Sequence, residues 1–399
     1  MPIHVVHPTS GDTITASLAG AALVISPRYG ESYSFDRSGR LLALFRDERS
    51  CQRTLDHRLL ERLRGDGPRR RELPPDERDA LLRCTFADLR ALAADLPVLD
   101  LAPGDRQRLS KALARVRAFG PDRLAEDGAA FQRLYKPVSI LPPDQYLALV
   151  LQATEGCSWN RCTFCGLYRD RKFRIHSPES FRAHCEDVRN FYGEGLSLRR
   201  GIFLADANAL VIPQARLRAL FEIAQEFFRL PDRPRSVFSF VSAFDVDRKS
   251  PDDWAELHAL GLERAYIGLE TGDDALLRFL NKPGTVQDAV VAVQALRAGG
   301  VSVGVILMAG IGGDQFAETH IGLSVEAVRA MDLGPHDQVY LSNYVLAPNT
   351  EYEHDAAATG VRSLSEDEID SQLKDLQARL RAVAPETVVA PYHVDGFAL

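Results

Sequence analysis

Between residues 146 and 355, six short apolar runs alternate with amphipathic helical stretches, and no other feature constrains the fold as much. The runs lie at 146–154, 201–205, 236–241, 264–269, 301–308 and 338–345 and are rich in Val, Ile, Leu and Phe. That composition suits strands buried on both faces. Between them, 178–192, 214–229, 251–260, 285–298 and 317–331 show helical periodicity. Strands alternating with helices predict an α/β fold with a parallel sheet and right-handed crossovers. A last helix is expected over 365–383, opened by the acidic turn Ser365-Glu366-Asp367-Glu368. Periodicity leaves open whether the sheet is flat or curled.

Residues 1–145 read differently, as an α+β accessory domain. Ser32–Phe35 and Leu41–Phe45 flank a Gly-containing turn and predict a hairpin. Helices follow near 76–95, 105–118 and 121–135, and Pro137, Pro142 and Pro143 mark a rigid connection. The expected organisation is 1–145 accessory domain, 146–355 core barrel, and 356–399 a C-terminal helix and tail. Pro391-Tyr392-His393-Val394-Asp395-Gly396-Phe397 is expected to fray or pack.

Hydrophobic content of 45% and charged content of 26% are ordinary for a globular protein. No apolar run approaches the ~20 residues that cross a bilayer, and the first residues lack the pattern of a signal peptide. A cytoplasmic protein with reduced thiols and no membrane partner is the expectation. The net charge of −7 argues against general affinity for nucleic acid. Arg69-Arg70-Arg71 and the run Arg169 to Arg174 are local basic stretches, read as solvated faces.

Only six cysteines occur, and Cys157, Cys162 and Cys165 fall within nine positions. Thiolates so close repel one another unless a soft metal centre neutralises them. A cubane iron–sulfur cluster is normally held by four thiolates; three leave one iron open to a ligand that is not protein. The rival reading is structural zinc, with Cys185, His176 or His184 as fourth ligand. Cys51, Cys84 and Cys185 read as lone thiols.

The spacing C-x4-C-x2-C, with Phe164 before the last cysteine, resembles the cluster loop of radical S-adenosylmethionine (SAM) enzymes. The layout is similar to the branch of the tRNA methylthiotransferases, the Elongator catalytic subunit and coproporphyrinogen dehydrogenase. The resemblance continues through Gly166 to Arg174, Phe203 to Leu210 and Tyr266 to Gly272, and covers roughly 145–355. It implies a partial, six-stranded version of the triosephosphate-isomerase barrel, whose functional residues sit at the C-terminal ends of strands. It also implies a 4Fe-4S cluster on Cys157, Cys162 and Cys165, with SAM on the fourth iron. Phe164 would lie against adenine, and Asp206 occupies the place that meets the SAM amino group. Ser239 and Ser242, near a strand end, suit ribose or carboxylate binding or simply form turns. Glu270 would meet the SAM ammonium or ribose, and its alternative is a salt bridge. Lys282 could meet the SAM carboxylate or stay solvated. Gly310 begins a Gly-rich loop expected near adenine, and Asn343 and Tyr344 are candidate substrate contacts.

The implied activity is oxidoreductase-type: reductive cleavage of SAM to a 5′-deoxyadenosyl radical that abstracts hydrogen from a small molecule. The electron donor would be a flavodoxin or ferredoxin. Alternatives are cluster-dependent transfer of a methyl or aminocarboxypropyl group, and a metal-stabilised barrel that binds RNA or protein. The motifs assign no catalytic residue and no substrate. No cysteine follows Cys185, which argues against a second, C-terminal cluster.

Overall fold

The computed structural model describes residues 2–63, 70–231, 234–345 and 350–392. Arg69 and the tail beyond Tyr392 lie outside the described residues. The chain divides into two compact units. One gathers Met1–Pro137 with Asp187–Arg200; the other holds Val138–Glu186 and Gly201–Val394.

The first unit opens with eight strands: β1 (Ile3–Val6), β2 (Thr13–Ser17), β3 (Leu23–Ser26), β4 (Ser32–Phe35), β5 (Leu41–Arg46), β6 (Arg49–Arg53), β7 (Leu59–Arg62) and β8 (Arg70–Glu72). Each pairs antiparallel with the next, a continuous meander of which the expected hairpin is the β4–β5 step. Helices α1 (Pro75–Asp95), α2 (Pro103–Ala118) and α3 (Pro121–Leu134) follow. Inward residues of the meander, such as Ile25, Tyr33 and Phe35, share one core with Phe86 and Leu89 of α1 and Leu109 and Val116 of α2.

A buried ion network sits in this unit. Arg40 donates from Nε and Nη2 to the two oxygens of Asp127, each at 2.8 Å, and from Nη1 to Asp36 at 2.8 Å. Arg53 reaches Asp127 at 3.4 Å. The Arg40 guanidinium also lies 4.6 Å from the centre of the Phe191 ring. Burial works against both arginine charges. For Arg40 the two aspartates outweigh it, whereas Arg53 is pulled down to about 10.

The second unit carries β9 (Leu149–Gln152), β10 (Thr154–Glu155), β11 (Arg174–Ile175), α4 (Pro178–Tyr192), β12 (Ile202–Ala205), α5 (Gln214–Phe228), β13 (Val237–Phe240), α6 (Pro251–Ala259), β14 (Leu262–Glu270), α7 (Asp274–Phe279), α8 (Val286–Ala298), β15 (Ser302–Ala309), α9 (Gly313–Met331), β16 (Gln338–Asn343), α10 (Glu351–Thr359), α11 (Glu366–Val383) and β17 (Val388–Tyr392). The tip of α4 is counted with the first unit. Seven strands form one parallel sheet in the order β17-β16-β15-β14-β13-β12-β9. Side chains from β13 to β17 and from the loop after β9 line one cavity, so the sheet curls into a partial barrel.

Six of its strands fall where the apolar runs lie. The seventh corrects the expectation of a separate tail: Val388–Tyr392 pairs with β16, and α11 packs on α9. Pro391 is tolerated because β17 is an edge strand and need not donate from every N–H. Capping boxes start α6, α8 and α11, the last through Ser365 and Glu368.

Aromatic rings fill the barrel interior. Phe203 and Phe240 lie 5.1 Å apart, Phe240 and Tyr266 6.1 Å, and Tyr340 and Tyr392 5.8 Å. Their polar ends are gathered by Asp144, just ahead of β9. It accepts from Tyr266 at 2.6 Å, Tyr340 at 2.7 Å and Arg264 at 2.9 Å. Buried hydroxyls need such partners.

The first unit yields a stability prediction. Asp127→Ala removes the carboxylate that two buried guanidinium groups share and should destabilise that unit by about 3–5 kcal/mol. Urea unfolding followed by circular dichroism checks this; an unchanged midpoint would show that the network contributes nothing.

Candidate functional site

A cavity of about 220 Å³ opens at the C-terminal ends of the parallel strands, and Cys157, Cys162 and Cys165 all line it. The period of two along each strand decides what else reaches it. Phe240 and Ser242 come from the end of β13, Tyr266, Gly268 and Glu270 from β14, Ile306 and Met308 from β15, Ser342 from β16 and Tyr392 from β17. Most of this wall is apolar.

The cysteines sit on a loop that leaves β10 and returns as β11. Those strands pair through Thr154–Ile175 and Glu155–Arg174, closing the base of the loop. Its middle is tied to the turn after α7. Trp159 donates from Nε1 to the Asn281 carbonyl at 2.8 Å, and the Thr163 N–H donates to the Leu280 carbonyl at 3.0 Å. Asn208 donates to Ser158 at 3.1 Å and to Asp245 at 2.8 Å, and its Oδ1 accepts from the Ser242 N–H at 3.0 Å. Arg169 donates to the carbonyls of Cys162 and Cys165 at 2.9 and 3.3 Å.

Burial pushes the Cys162 thiol up to about 11, and burial likewise raises Cys165; the neighbouring cysteines and Glu270 add to both shifts. Gathering such groups is unfavourable until a soft cation neutralises them. The donor set therefore fits an iron–sulfur cluster. The zinc alternative fits less well. His176 engages Ser180 and Glu155, and the His184 Nε2 accepts from the Gln152 N–H. Cys185 is fully buried elsewhere. Among the described residues, no three His, Cys, Asp or Glu side chains form a group that could hold a single metal ion.

Glu270 and Lys282 supply the cavity's paired charges, Oε1 to Nζ at 3.2 Å. Glu270 has φ of +67°, uncommon for a residue with a side chain, and the β14–β15 register shifts between Gly268 and Glu270. Glu270 keeps the parity of Tyr266 and Gly268, and all three line the cavity. For Lys282, burial works against the charge, but Glu270 and the nearby Cys162 outweigh it and hold the ammonium above its ordinary range.

Helix α9 braces this segment. The Ser324 hydroxyl accepts from the Gly272 N–H at 2.8 Å, and His320 Nδ1 lies 2.8 Å from the Thr271 hydroxyl. A Cβ at Gly272 would lie 2.2 Å from the Leu323 carbonyl oxygen, so only glycine lets strand and helix approach this closely. His320 is fully buried, and burial pushes its imidazole down to about 4.

The structure thus brings Cys157, Cys162, Cys165, Phe164, Ser242, Glu270 and Lys282 to one cavity. Five other expected residues lie elsewhere. Ser239 shares the face of Val237, opposite Phe240, and its hydroxyl donates to the Leu204 carbonyl at 2.7 Å. Gly310 turns away from the barrel interior, lines a second cavity with Asn343 and Tyr344, and donates its N–H to Gln372 at 2.6 Å. Asp206 is 2% exposed and bonded within the protein; the pull of burial, opposed by the Gly156 N–H and Arg171, raises its carboxyl to about 6. Sequence reasoning passed over Tyr392 because its strand was not expected. It also passed over Tyr266 and Met308, which share the parity of Glu270 and of Ile306 along their strands.

Three thiols at the strand ends of a partial α/β barrel define a barrel with a candidate metal centre, and comparison with known proteins shows what it is similar to. Residues 151–320 match the profile described as the Radical SAM superfamily. Over this segment the chain is similar to radical SAM domains. A curated relative, 4′-phospho-dehydrooxetanocin synthase of Priestia megaterium, is 23% identical over 168 residues. That match covers 39% of this chain and 22% of the relative, so the chain spans about a fifth of the length of the curated relative it matches. Among solved structures, coproporphyrinogen III oxidase of Escherichia coli is 14% identical, with 64% of this chain and 56% of that one covered and a TM-score of 0.44. Methylornithine synthase shares 16% identity over 76% of this chain and 81% of its own, at a TM-score of 0.39. The methyltransferase TsrM of Kitasatospora setae, solved with cobalamin and a [4Fe-4S] cluster, shares 20% identity over 54% and 41%, at 0.41.

The His320 environment makes a prediction about pH. The imidazole stays neutral in the folded protein down to about pH 4 but charges near pH 6.5 once unfolded. Its contribution is therefore present above pH 6.5 and lost as pH falls through that window toward 4. His320→Gln should flatten the stability loss between pH 6.5 and 5 by about 2 kcal/mol. Urea titrations at both pH values test this; parallel losses in the two proteins would refute it.

Proposed function

We propose that this barrel holds a 4Fe-4S cluster on Cys157, Cys162 and Cys165 and binds SAM against it, as a radical SAM enzyme. The observation that carries the reading is three partly buried thiols sharing one cavity with the Glu270–Lys282 pair. A cluster held by Cys157, Cys162 and Cys165 would supply one-electron reduction, the chemistry needed to cleave a C–S bond of SAM. The chain's residues bind and orient. Carboxylate and ammonium at 3.2 Å offer partners for the ammonium and carboxylate of the SAM methionine moiety. Phe164 offers a ring face for adenine, and Ser242 a hydroxyl for ribose. The apolar wall excludes water from a reactive radical. The electron donor is a flavodoxin- or ferredoxin-like carrier, and the substrate is a small molecule that accepts hydrogen abstraction. Among the described residues, no helix is long and apolar enough to cross a membrane.

The test is anaerobic reconstitution with iron and sulfide, then dithionite and SAM, with nucleosides identified by mass. The wild type should yield 5′-deoxyadenosine; Cys162→Ala should lower it at least ~100-fold, a typical loss when electrostatic or metal assistance at the reacting atoms is removed. S-adenosylhomocysteine or methylthioadenosine in its place would assign group transfer instead. A colourless, zinc-loaded wild type would end the radical reading.

A further inference from the structure

The cluster loop has a neck, and Asp206 sits in it. A Cβ built on Gly156, one residue ahead of Cys157, would lie 3.2 Å from Arg171 Cγ and 3.3 Å from the Lys172 carbonyl oxygen. The outgoing and returning strands of the loop therefore touch there, and the φ of +75° at Gly156 lets the chain turn out between them. Asp206 Oδ2 accepts from the Gly156 N–H at 3.1 Å and from Arg171 Nη1 at 3.3 Å. One carboxylate oxygen thus holds both sides of the loop. The Asp206 N–H donates to Thr154 Oγ1 at 2.9 Å, which fixes the aspartate to the strand leading into the same loop. The carboxylate is 2% exposed, and the Arg171 side chain 8%. The Arg171 guanidinium lies 5.7 Å from the centre of the Tyr168 ring, and Tyr168 is part of the cavity wall beside the cysteines. The Tyr168 carbonyl in turn accepts from Asn160, between the first two cysteines.

We propose that Asp206 and Arg171 form a latch that sets the geometry of the cysteine loop and retains its cluster, so that Asp206 is a positioning residue rather than a contact for the bound cofactor. This rests on the cluster reading given above and adds a role that the cavity lining does not supply. Asp206 does not line the cavity; it acts through the loop. A neutral side chain could accept the Gly156 N–H, but only a carboxylate also balances a buried guanidinium, which explains a charge at this position.

The experiment compares wild type, Asp206→Ala, Arg171→Met and the double variant, each reconstituted with iron and sulfide. Three quantities are read: urea stability of the cluster-free protein, the electron paramagnetic resonance spectrum of the dithionite-reduced cluster, and the rate of iron release to a ferrous chelator. Arg171→Met leaves the Asp206 carboxylate without its cation, and Asp206→Ala leaves Arg171 with only the exposed Asp170 at 2.9 Å, so each single variant should unfold more easily. The double variant removes both charges and should be more stable than Asp206→Ala. If the pair is a latch, iron release from the double variant stays about 10–100-fold faster than from wild type, with an altered spectrum, as when supporting partners of metal ligands are removed. Wild-type release and spectrum in the double variant would show that the pair supports only the fold, and the latch would be overturned alone. A wild-type protein that forms no cluster would overturn the cluster reading, and the latch with it.

Discussion

Three thiols brought together beside a carboxylate, under partial burial, are what the rest of the second unit accommodates. Burial and mutual proximity raise Cys162 and Cys165, so the thiols themselves contribute nothing toward holding this shape. The shape comes from anchors outside the cysteines. Asp206 and Asn208 reach it from the end of β12, and Leu280 and Asn281 from the turn after α7. These two anchor sets come from separate crossovers of the barrel. The loop is thus defined by the curl of the sheet rather than by local sequence preference, as a pre-organised site requires.

The cavity exists because the barrel is filled only part of the way. Phe203, Phe240, Tyr266 and Tyr340 occupy the lower interior, and Asp144 satisfies the tyrosine hydroxyls beneath them. Above that floor, the side chains turned inward by strand alternation are Ile306, Met308 and Ser342, which leave space. Glu270, two residues on from Gly268, reaches into that space. The strained φ at Glu270 is sustained by α9, through Ser324 on Gly272 and His320 on Thr271. A local cost at the strand end is offset by packing and hydrogen bonds one helix away.

Much of this was legible in the sequence. The apolar runs placed β9 and β12 to β16 because strands buried on both faces carry a continuous signal. The cysteine spacing and the Gly268-Leu269-Glu270-Thr271-Gly272 run located two walls of the cavity. What escaped has physical reasons. The meander strands are three to six residues long, and several, such as Arg49–Arg53, carry polar residues on their open face. Val388–Tyr392 contains a proline, which in isolation argues against a strand and is consistent only with an edge. Ser239 lies near a strand end, which suits either a ligand contact or a turn; its parity with Val237 turns it to the other face. Asp206 was read as a ligand contact from its position alone, yet its partners, Gly156 and Arg171, lie 50 and 35 residues away. Long-range pairing of that kind leaves no periodic trace.

An opposed charge pair inside an apolar cavity has a chemical consequence of its own. In isolation each charge would be costly to bury, and the 3.2 Å contact offsets that cost. A neutral ligand that separates Glu270 from Lys282 loses their attraction and returns nothing. A zwitterion does not, because its ammonium and carboxylate can each replace one partner. The pair therefore discriminates by charge arrangement before any shape is tested. In the proposed reading, the methionine moiety of SAM has that arrangement, and the apolar remainder of the cavity is left to the adenine and to a substrate with little charge where it meets this wall. In that reading the cysteines hold the cluster, and this pair selects the end of the molecule that lies against it.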